Sequence, residues 1–230
     1  MTAPSSGPAT TPARPGPEQV TTTSAARPPV KVGLGPESVA VTPDGKTVYV
    51  GNTGSDTVTP VRTATDTALP PIKTGLTPQD IAITPDGKTA YVANANGDTV
   101  TPIRIATGTA LPSIKMGSGP IAVVISPDGK TAYALNFGKP NANGGAVTPI
   151  RNATNTALRP IKVGPEPQGI AITPDGKTVY VTNGGSNTVT PIRTATGTAL
   201  RPIKVGQFPL AVAVTPNGKT AYVTNANGAR

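Results

Sequence analysis

The chain has no cysteine, no histidine and no tryptophan, and aromatic residues make up only 3% of it. Without cysteine there is no disulfide to staple the fold and no thiolate for nucleophilic or metal chemistry, and the redox compartment is left open. Without histidine, the usual general base and the commonest transition-metal ligand are both missing. With two Phe and five Tyr as its whole aromatic complement, the core must rest on Val, Ile, Ala, Leu and Thr. Acidic residues are also scarce, 11 against 20 Lys and Arg, so the net charge is +9 and the isoelectric point about 10.0. No apolar run approaches the roughly 20 residues that a membrane-spanning helix requires.

Glycine (26) and proline (28) are abundant, and they punctuate a repeated phrase. Thr-Pro-Asp-Gly-Lys-Thr-Val-Tyr-Val-Gly-Asn at 42–52 returns at 84–94, 126–136, 173–183 and 215–225. Its Asp or Asn stands at 44, 86, 128, 175 and 217, so the spacings are 42, 42, 47 and 42 residues. The long spacing comes from a Gly/Asn/Pro-rich insertion at 137–145. A period of about 40–45 residues marks units that cannot bury their apolar faces alone and must stack.

Each repeat reads as four short strands. In the first, strand a covers 38–42, Pro-Asp-Gly-Lys makes a tight turn, strand b covers 47–51, strand c 57–62 and strand d 68–73. Proline presets φ in the turn, Asp tolerates its third position and Gly its exit. β-branched runs between regularly spaced Gly/Pro clusters argue an all-β fold. A β-propeller, with four-stranded sheets around a channel, accommodates this pattern best. Strand c carries Pro60, Pro102, Pro149 and Pro191. Since proline removes a ladder donor, a bulge or an early end to strand c is expected there.

The repeat "TPDGKTVYVTN…NTVTPIRTATGTALRPIKVG" resembles the YVTN-type β-propeller repeat of bacterial surface-layer and secreted proteins, over residues 30–230. The resemblance implies a propeller of four-stranded antiparallel blades, about five in number, at the cell surface or outside the cell. More distant relatives with similar repeats include lactonases and subunits of redox enzymes. The chain departs from the pattern in one recurring place: where relatives commonly have Asp after strand c, it has Arg62, Arg104, Arg151 and Arg193.

Residues 1–24 read as a disordered Pro/Thr/Ser-rich tail and 25–230 as the propeller, with repeats beginning near 30, 72, 114, 161 and 203. The opening residues lack the basic start and apolar stretch of a secretory signal, so a cytoplasmic location stays open. The fifth repeat stops after strand b, while 21–33 aligns without a gap to 194–206, the c–d turn and strand d. This predicts that Ala25–Val32 supplies a strand d to the last blade, removing exposed sheet edges. The alternatives are a piece of a larger propeller, or an open arc that dimerises.

Charge is distributed unevenly over the repeat. In a four-stranded meander the a–b and c–d turns share one end of the blade. That end gathers Lys46, Lys88, Lys130, Lys177 and Lys219 with Arg62, Arg104, Arg151 and Arg193, against Asp44, Asp66, Asp86, Asp128 and Asp175, a net of four positive charges. At the opposite end Lys31, Lys73, Lys115, Lys162 and Lys204 are balanced by Glu37, Asp56, Asp80, Asp98 and Glu166. The nine basic residues form the candidate binding face, for an anionic cell-wall polymer or another protein. Nucleic acid fits less well, because stacking platforms need aromatics beside the basic groups.

The sequence offers little for catalysis. The repeated Asp of Pro-Asp-Gly is a turn former, and Asn217 replaces it without loss of that role. Tyr49, Tyr91, Tyr133, Tyr180 and Tyr222 read as packing between blades, with hydroxyls bonded to backbone. Glu37, Asp80 and Glu166, on the connections from strand d to strand a, are the carboxylates to consider for a cation at the channel mouth, with salt pairing to neighbouring Lys as the plainer reading. The expectation is therefore a non-catalytic scaffold with no catalytic residue, metal or cofactor, as a monomer or dimer. The alternative is a lactonase-like hydrolase with a site at the channel mouth.

Overall fold

The computed structural model describes residues 28–138 and 144–226. Four consecutive sheets share one plan. In the first, β1 (Pro36–Val41), β2 (Thr47–Asn52) and β3 (Thr57–Arg62) form an antiparallel meander. The outer strand comes in two pieces, β4 (Thr67–Ala68) and β5 (Ile72–Lys73), both paired to β3. The second sheet repeats this with β6 (Pro78–Ile83), β7 (Thr89–Asn94), β8 (Thr99–Arg104), β9 (Thr109–Ala110) and β10 (Ile114–Lys115). The third has β11 (Pro120–Ile125), β12 (Thr131–Asn136), β13 (Ala146–Arg151), β14 (Thr156–Ala157) and β15 (Ile161–Lys162). The fourth has β16 (Pro167–Ile172), β17 (Thr178–Asn183), β18 (Thr188–Arg193), β19 (Thr198–Ala199) and β20 (Ile203–Lys204). The fifth contains β21 (Pro209–Val214) and β22 (Ala221–Asn225). Two single turns of 3-10 helix, Ile105–Thr107 and Gly184–Ser186, are the only helices among the described residues.

The expected irregularity at proline falls on strand d rather than strand c. Strand c runs unbroken through Pro60, which lies opposite Tyr49 of strand b. The carbonyl of Pro60 accepts the Leu69 amide at 2.8 Å, so its side of the strand that lacks a donor faces strand d. Val61 pairs with Ala68 but Val58 with Ile72, so three residues of strand d span two of strand c. The outer strand bulges at Leu69–Pro71, where a lost ladder bond is met by solvent instead of a buried neighbour.

Strand a bulges as well, just after the proline that opens it. Pro36 pairs with Asn52, but the next matched pair is Ser38 with Gly51. The corresponding pairs are Asp80 with Ala93 and Ala122 with Leu135. Glycine at 51 leaves room for Ser38 Oγ, which a Cβ there would force to turn away. Where the strand-a residue shrinks to Ala122, Leu135 fills the space and is fully buried.

The apolar cores lie between blades, not within them. Tyr49, Val58 and Ile72 of the first blade pack with Ile81, Ala90, Val92 and Ile103 of the second. Tyr91, Ala93, Val100 and Ile114 pack with Val123, Ala132, Ala134 and Ile150 of the third, and Tyr133, Leu135, Val147 and Ile161 with Val179, Val181 and Ile192 of the fourth. Each sheet thus presents a tyrosine-bearing face forward and a strand-a Val/Ile face backward, which is why one repeat alone has no core. The inner strands pack in chain order, β1 on β6, β6 on β11, β11 on β16 and β16 on β21. Among the described residues no comparable packing joins β21 to β1.

The arc therefore has two ends. Val39 and Val41 on β1 and Tyr222 on β22 are 55–68% exposed, whereas Tyr49, Ile81, Tyr91, Val123 and Tyr133 are buried. The strand expected over Ala25–Val32 is not formed where it is described: 28–32 has no strand structure. Residues 25–27, the expected tail at 1–24, and Lys139 with the centre of the 137–145 insertion lie outside the described residues. No helix among the described residues is long and apolar enough to cross a membrane.

Candidate functional site

The basic end is built from the repeated turn. Thr42 Oγ1 donates to Asp44 Oδ1 at 2.6 Å and accepts the Thr47 amide at 3.1 Å. Asp44 Oδ1 also accepts the Lys46 amide at 3.1 Å, and Gly45 takes a left-handed φ of 69°. The second and fourth blades repeat this with Thr84/Asp86 and Thr173/Asp175, the third with Ser126/Asp128 and the fifth with Thr215/Asn217. The hydroxyl donor first, and then the lysine amide, hold the carboxyls of Asp44, Asp86, Asp128 and Asp175 below the ordinary carboxylate range.

The c–d turn is tied to the same end. The Thr63 amide donates to Lys46 O at 3.1 Å and its hydroxyl to Gly45 O at 2.8 Å. Thr194 does the same in the fourth blade, and Asn152 Nδ2 reaches Gly129 O at 2.7 Å in the third. Arg62, Arg104, Arg151 and Arg193, which end strand c, thereby sit exposed across the ladder from Thr47, Thr89, Thr131 and Thr178, each the residue after a lysine. The structure places Lys46, Lys88, Lys130, Lys177 and Lys219 and the four arginines at the same end of their blades, along one face of the propeller.

Successive turns also lie side by side. A Cβ on Gly87 would lie 3.5 Å from the Pro43 ring of the previous turn. Gly129 stands in the same relation to Pro85, Gly176 to Pro127 and Gly218 to Pro174, at 3.3–3.6 Å. The five turns form a continuous row, each proline facing the glycine of the next with room for a Cβ between them. Between the second and third blades the row opens into a cleft of about 640 Å³ lined by Asp86, Lys88, Lys130, Arg151 and Asn152, among others.

The lysines are partly compensated. Lys46, Lys88, Lys130 and Lys177 lie 3.6–3.8 Å from the carboxylate of their own turn, with side chains 81–82% exposed. Exposed pairs of this kind are worth about 0–1 kcal/mol, so the ammonium groups remain available to another anion. Lys219 meets the uncharged Asn217 instead.

The opposite end is held differently. Asp56 and Asp98 take left-handed φ at the b–c turn, and each carboxylate accepts an amide from the loop that follows strand d, Thr77 and Gly119, both at 2.8 Å. Asn187 does this for Phe208. These carboxylates lock loops, and an amide side chain serves equally.

Glu37, Asp80 and Glu166 do not occupy equivalent places. Glu37 follows the proline that opens strand a, and Asp80 lies one residue further along. Glu166 takes the left-handed position before that proline, filled elsewhere by Gly35, Thr77, Gly119 and Phe208. Among the described residues no group of three or more Asp or Glu approaches the arrangement that would hold a metal ion. Asp80 is not salt-paired with a lysine as expected. It accepts its neighbour Ile81 N at 2.9 Å and Val123 N of the third blade at 2.8 Å, so it clamps two inner strands, and burial raises its carboxyl. The fourth blade uses Thr182 for this purpose: its hydroxyl accepts Gly169 N at 2.8 Å and donates to Leu210 O of the fifth blade at 3.0 Å.

Tyr91 also differs from expectation in its partner. Tyr91 Oη donates to Asn155 Oδ1, on the c–d turn of the next blade, at 2.7 Å, rather than to backbone. Burial raises the Tyr49 and Tyr133 phenols and pushes Tyr91 up to about 12.

The sequence model of the YNCE-like beta-propeller family matches residues 36–138. With five antiparallel sheets in series, that match decides the architecture. The fold is a β-propeller. The propeller is similar to a chain of Kuenenia stuttgartiensis hydrazine synthase, at 32% identity and a TM-score of 0.75 over 83% of this chain. It is also similar to a functionally unknown protein from Desulfotomaculum acetoxidans DSM 771, at 20% identity and a TM-score of 0.75 over 85% of this chain. The propeller spans 55% of the first solved chain and 64% of the second. No curated protein matches it.

Proposed function

We propose that this propeller is a non-catalytic binding scaffold whose Lys/Arg end contacts anionic polymers of the bacterial cell envelope. The observation that carries the reading is the row of like turns, which sets one lysine and, in four blades, one arginine per repeat along a single end. Nine basic groups there oppose five carboxylates. Acidic wall polymer or polysaccharide matches such a row better than a compact ligand does, because the groups are exposed and spread along the arc. The likeness of the repeat to YVTN-type surface-layer and secreted propellers supports the envelope location.

Retention on immobilised heparin against salt tests the reading. The wild-type chain is expected to elute well above physiological salt, and Lys88→Glu/Lys130→Glu/Arg151→Glu, in the cleft between the second and third blades, to elute markedly earlier. Wild-type elution at or below physiological salt would remove the proposal, since affinity from charge contacts falls steeply as salt rises.

A second reading rests on the likeness to a chain of hydrazine synthase: a propeller subunit inside an enzyme assembly. With no His or Cys in 230 residues, the part such a subunit takes is better sought in docking than in metal ligation. The lactonase-like alternative draws no support from Glu37, Asp80 and Glu166, which stand at three different positions of the repeat.

A further inference from the structure

The recesses between neighbouring turns on the Lys/Arg face are not alike. Between the first and second blades Ile105 packs against the core, and the recess of about 220 Å³ is lined by Asp44 and Asp86, with no cation among the described residues. Between the third and fourth blades a recess of about 540 Å³ is lined by Asp128 and Asp175, again with no cation among the described residues. Between the second and third blades the residue matching Ile105 is Asn152, which bends back to Gly129 O of its own blade at 2.7 Å. The cleft there, about 640 Å³, is lined by Lys88, Lys130 and Arg151 against Asp86. Lys88 and Lys130 each lie beside the aspartate of their own turn, whereas no carboxylate among the described residues pairs with Arg151. Leu158, 38% exposed, and Ala153 give the same cleft an apolar patch.

An occupant matched to this lining carries an anionic group for Arg151, a proton donor for Asp86 and an apolar face for Leu158. A sugar acid has all three: a carboxylate, ring hydroxyls and the C–H face of its pyranose ring. A polyphosphate chain has the charge alone, and its ionised oxygens have no proton to give Asp86. We propose, building on the reading of this face as a polyanion surface, that the cleft between the second and third blades seats one uronate ring of an acidic polysaccharide. The carboxylate lies on Arg151, a ring hydroxyl on Asp86 and the ring face on Leu158. A guanidinium takes a planar carboxylate through two parallel N–H bonds, which an ammonium group does not. Apolar walls with a few placed polar groups are the usual make-up of a site that holds one compact ligand unit. The lysines of the other turns meet the flanking charges of the polymer, so the cleft selects for the ring and the row supplies the grip.

Isothermal titration calorimetry on the full chain, at physiological salt, compares a galacturonate oligomer with a polyphosphate of equal charge. The galacturonate oligomer is expected to bind several-fold more tightly. Leu158→Ser should weaken galacturonate binding several-fold and leave polyphosphate binding unchanged. Asp86→Asn keeps the hairpin, as Asn217 does in the fifth blade, and should strengthen polyphosphate binding more than galacturonate binding. Circular dichroism checks that both variants fold. Equal affinity for the two polymers, tighter binding of polyphosphate, or variants that shift both polymers alike would overturn the uronate seat and leave the basic row standing. Binding of neither polymer would remove the row and the seat together.

Discussion

One steric feature recurs along the repeat and is relaxed in the third blade, which makes it a controlled experiment. In the first four blades the Asn that ends strand b is buried, and its Nδ2 donates to strand c: in the second blade to Thr99 O at 3.2 Å, Thr99 Oγ1 at 3.1 Å and Thr101 Oγ1 at 2.9 Å. The glycine between strand d and the next strand a lies against this group. A Cβ on Gly75 would sit 2.6 Å from Thr99 Oγ1 and 2.9 Å from Asn94 Cβ, and on Gly164 2.8 Å from Asn183 Cβ. In the third blade the residue matching Thr99 is Ala146, so Asn136 makes no such hydroxyl bond, and a Cβ on Gly117 would lie 3.7 Å from Asn136 Cγ, an ordinary contact. None of these three glycines has a positive φ, so sterics alone separates them. Gly75→Ala and Gly164→Ala should each cost about 1–3 kcal/mol, the usual range for overpacking. Gly117→Ala should be neutral, or stabilise by about 0.4–1 kcal/mol through a less flexible unfolded chain. At about 2–4 °C per kcal/mol for a chain of this size, thermal unfolding followed by circular dichroism should separate Gly75→Ala from Gly117→Ala by roughly 2–16 °C. Equal shifts for the two substitutions would refute the steric argument.

Two further outcomes follow from buried titratable groups. Tyr91→Phe should lose the bond to Asn155 between the second and third blades and cost about 0.5–1.5 kcal/mol; in a spectrophotometric titration of phenolate it should abolish the ionisation near 12, and a final step unchanged by the substitution would contradict the assignment. Asp80 has a carboxyl raised above 3.8 by burial, so the folded state holds its proton more tightly than the unfolded state, and its contribution to stability falls as pH rises through that folded pKa. The melting temperature of the wild type minus that of Asp80→Asn should therefore increase as pH is lowered from neutrality and level off below 3.8; a flat difference, or one of opposite slope, would show that the two amide bonds outweigh desolvation.

The hairpin phrase was readable because its chemistry is local: Thr42, Asp44 and Gly45 determine one another within a few residues, and the alternation of a four-stranded meander then puts Lys46 and Arg62 at one end. The side of strand c that loses a donor at Pro60 was not readable. It depends on whether that residue's carbonyl faces strand b or strand d, and only the pairing shows this. The role of Asp80 was missed for a similar reason, since its partner Val123 lies 43 residues away on another blade. Grouping Asp80 with Glu37 and Glu166 by their shared connection overlooked single-residue offsets, which in a strand turn a side chain to the other face. A closer alignment of the prolines that open strand a would have separated the three. Nor did the sequence disclose that the proline of one turn faces the glycine of the next, because no pattern inside a repeat encodes what adjoins between repeats.

That row of turns sets the valency of the basic end. On the proposed function each lysine is a weak anion site, four of the five lying beside an aspartate of their own turn, and a lone small anion gains little from it. A polymer held at one blade would meet the next site at high effective concentration. Grip on an anionic chain would then grow with the number of blades it crosses, and the length of the polymer would matter more than the identity of its acidic group.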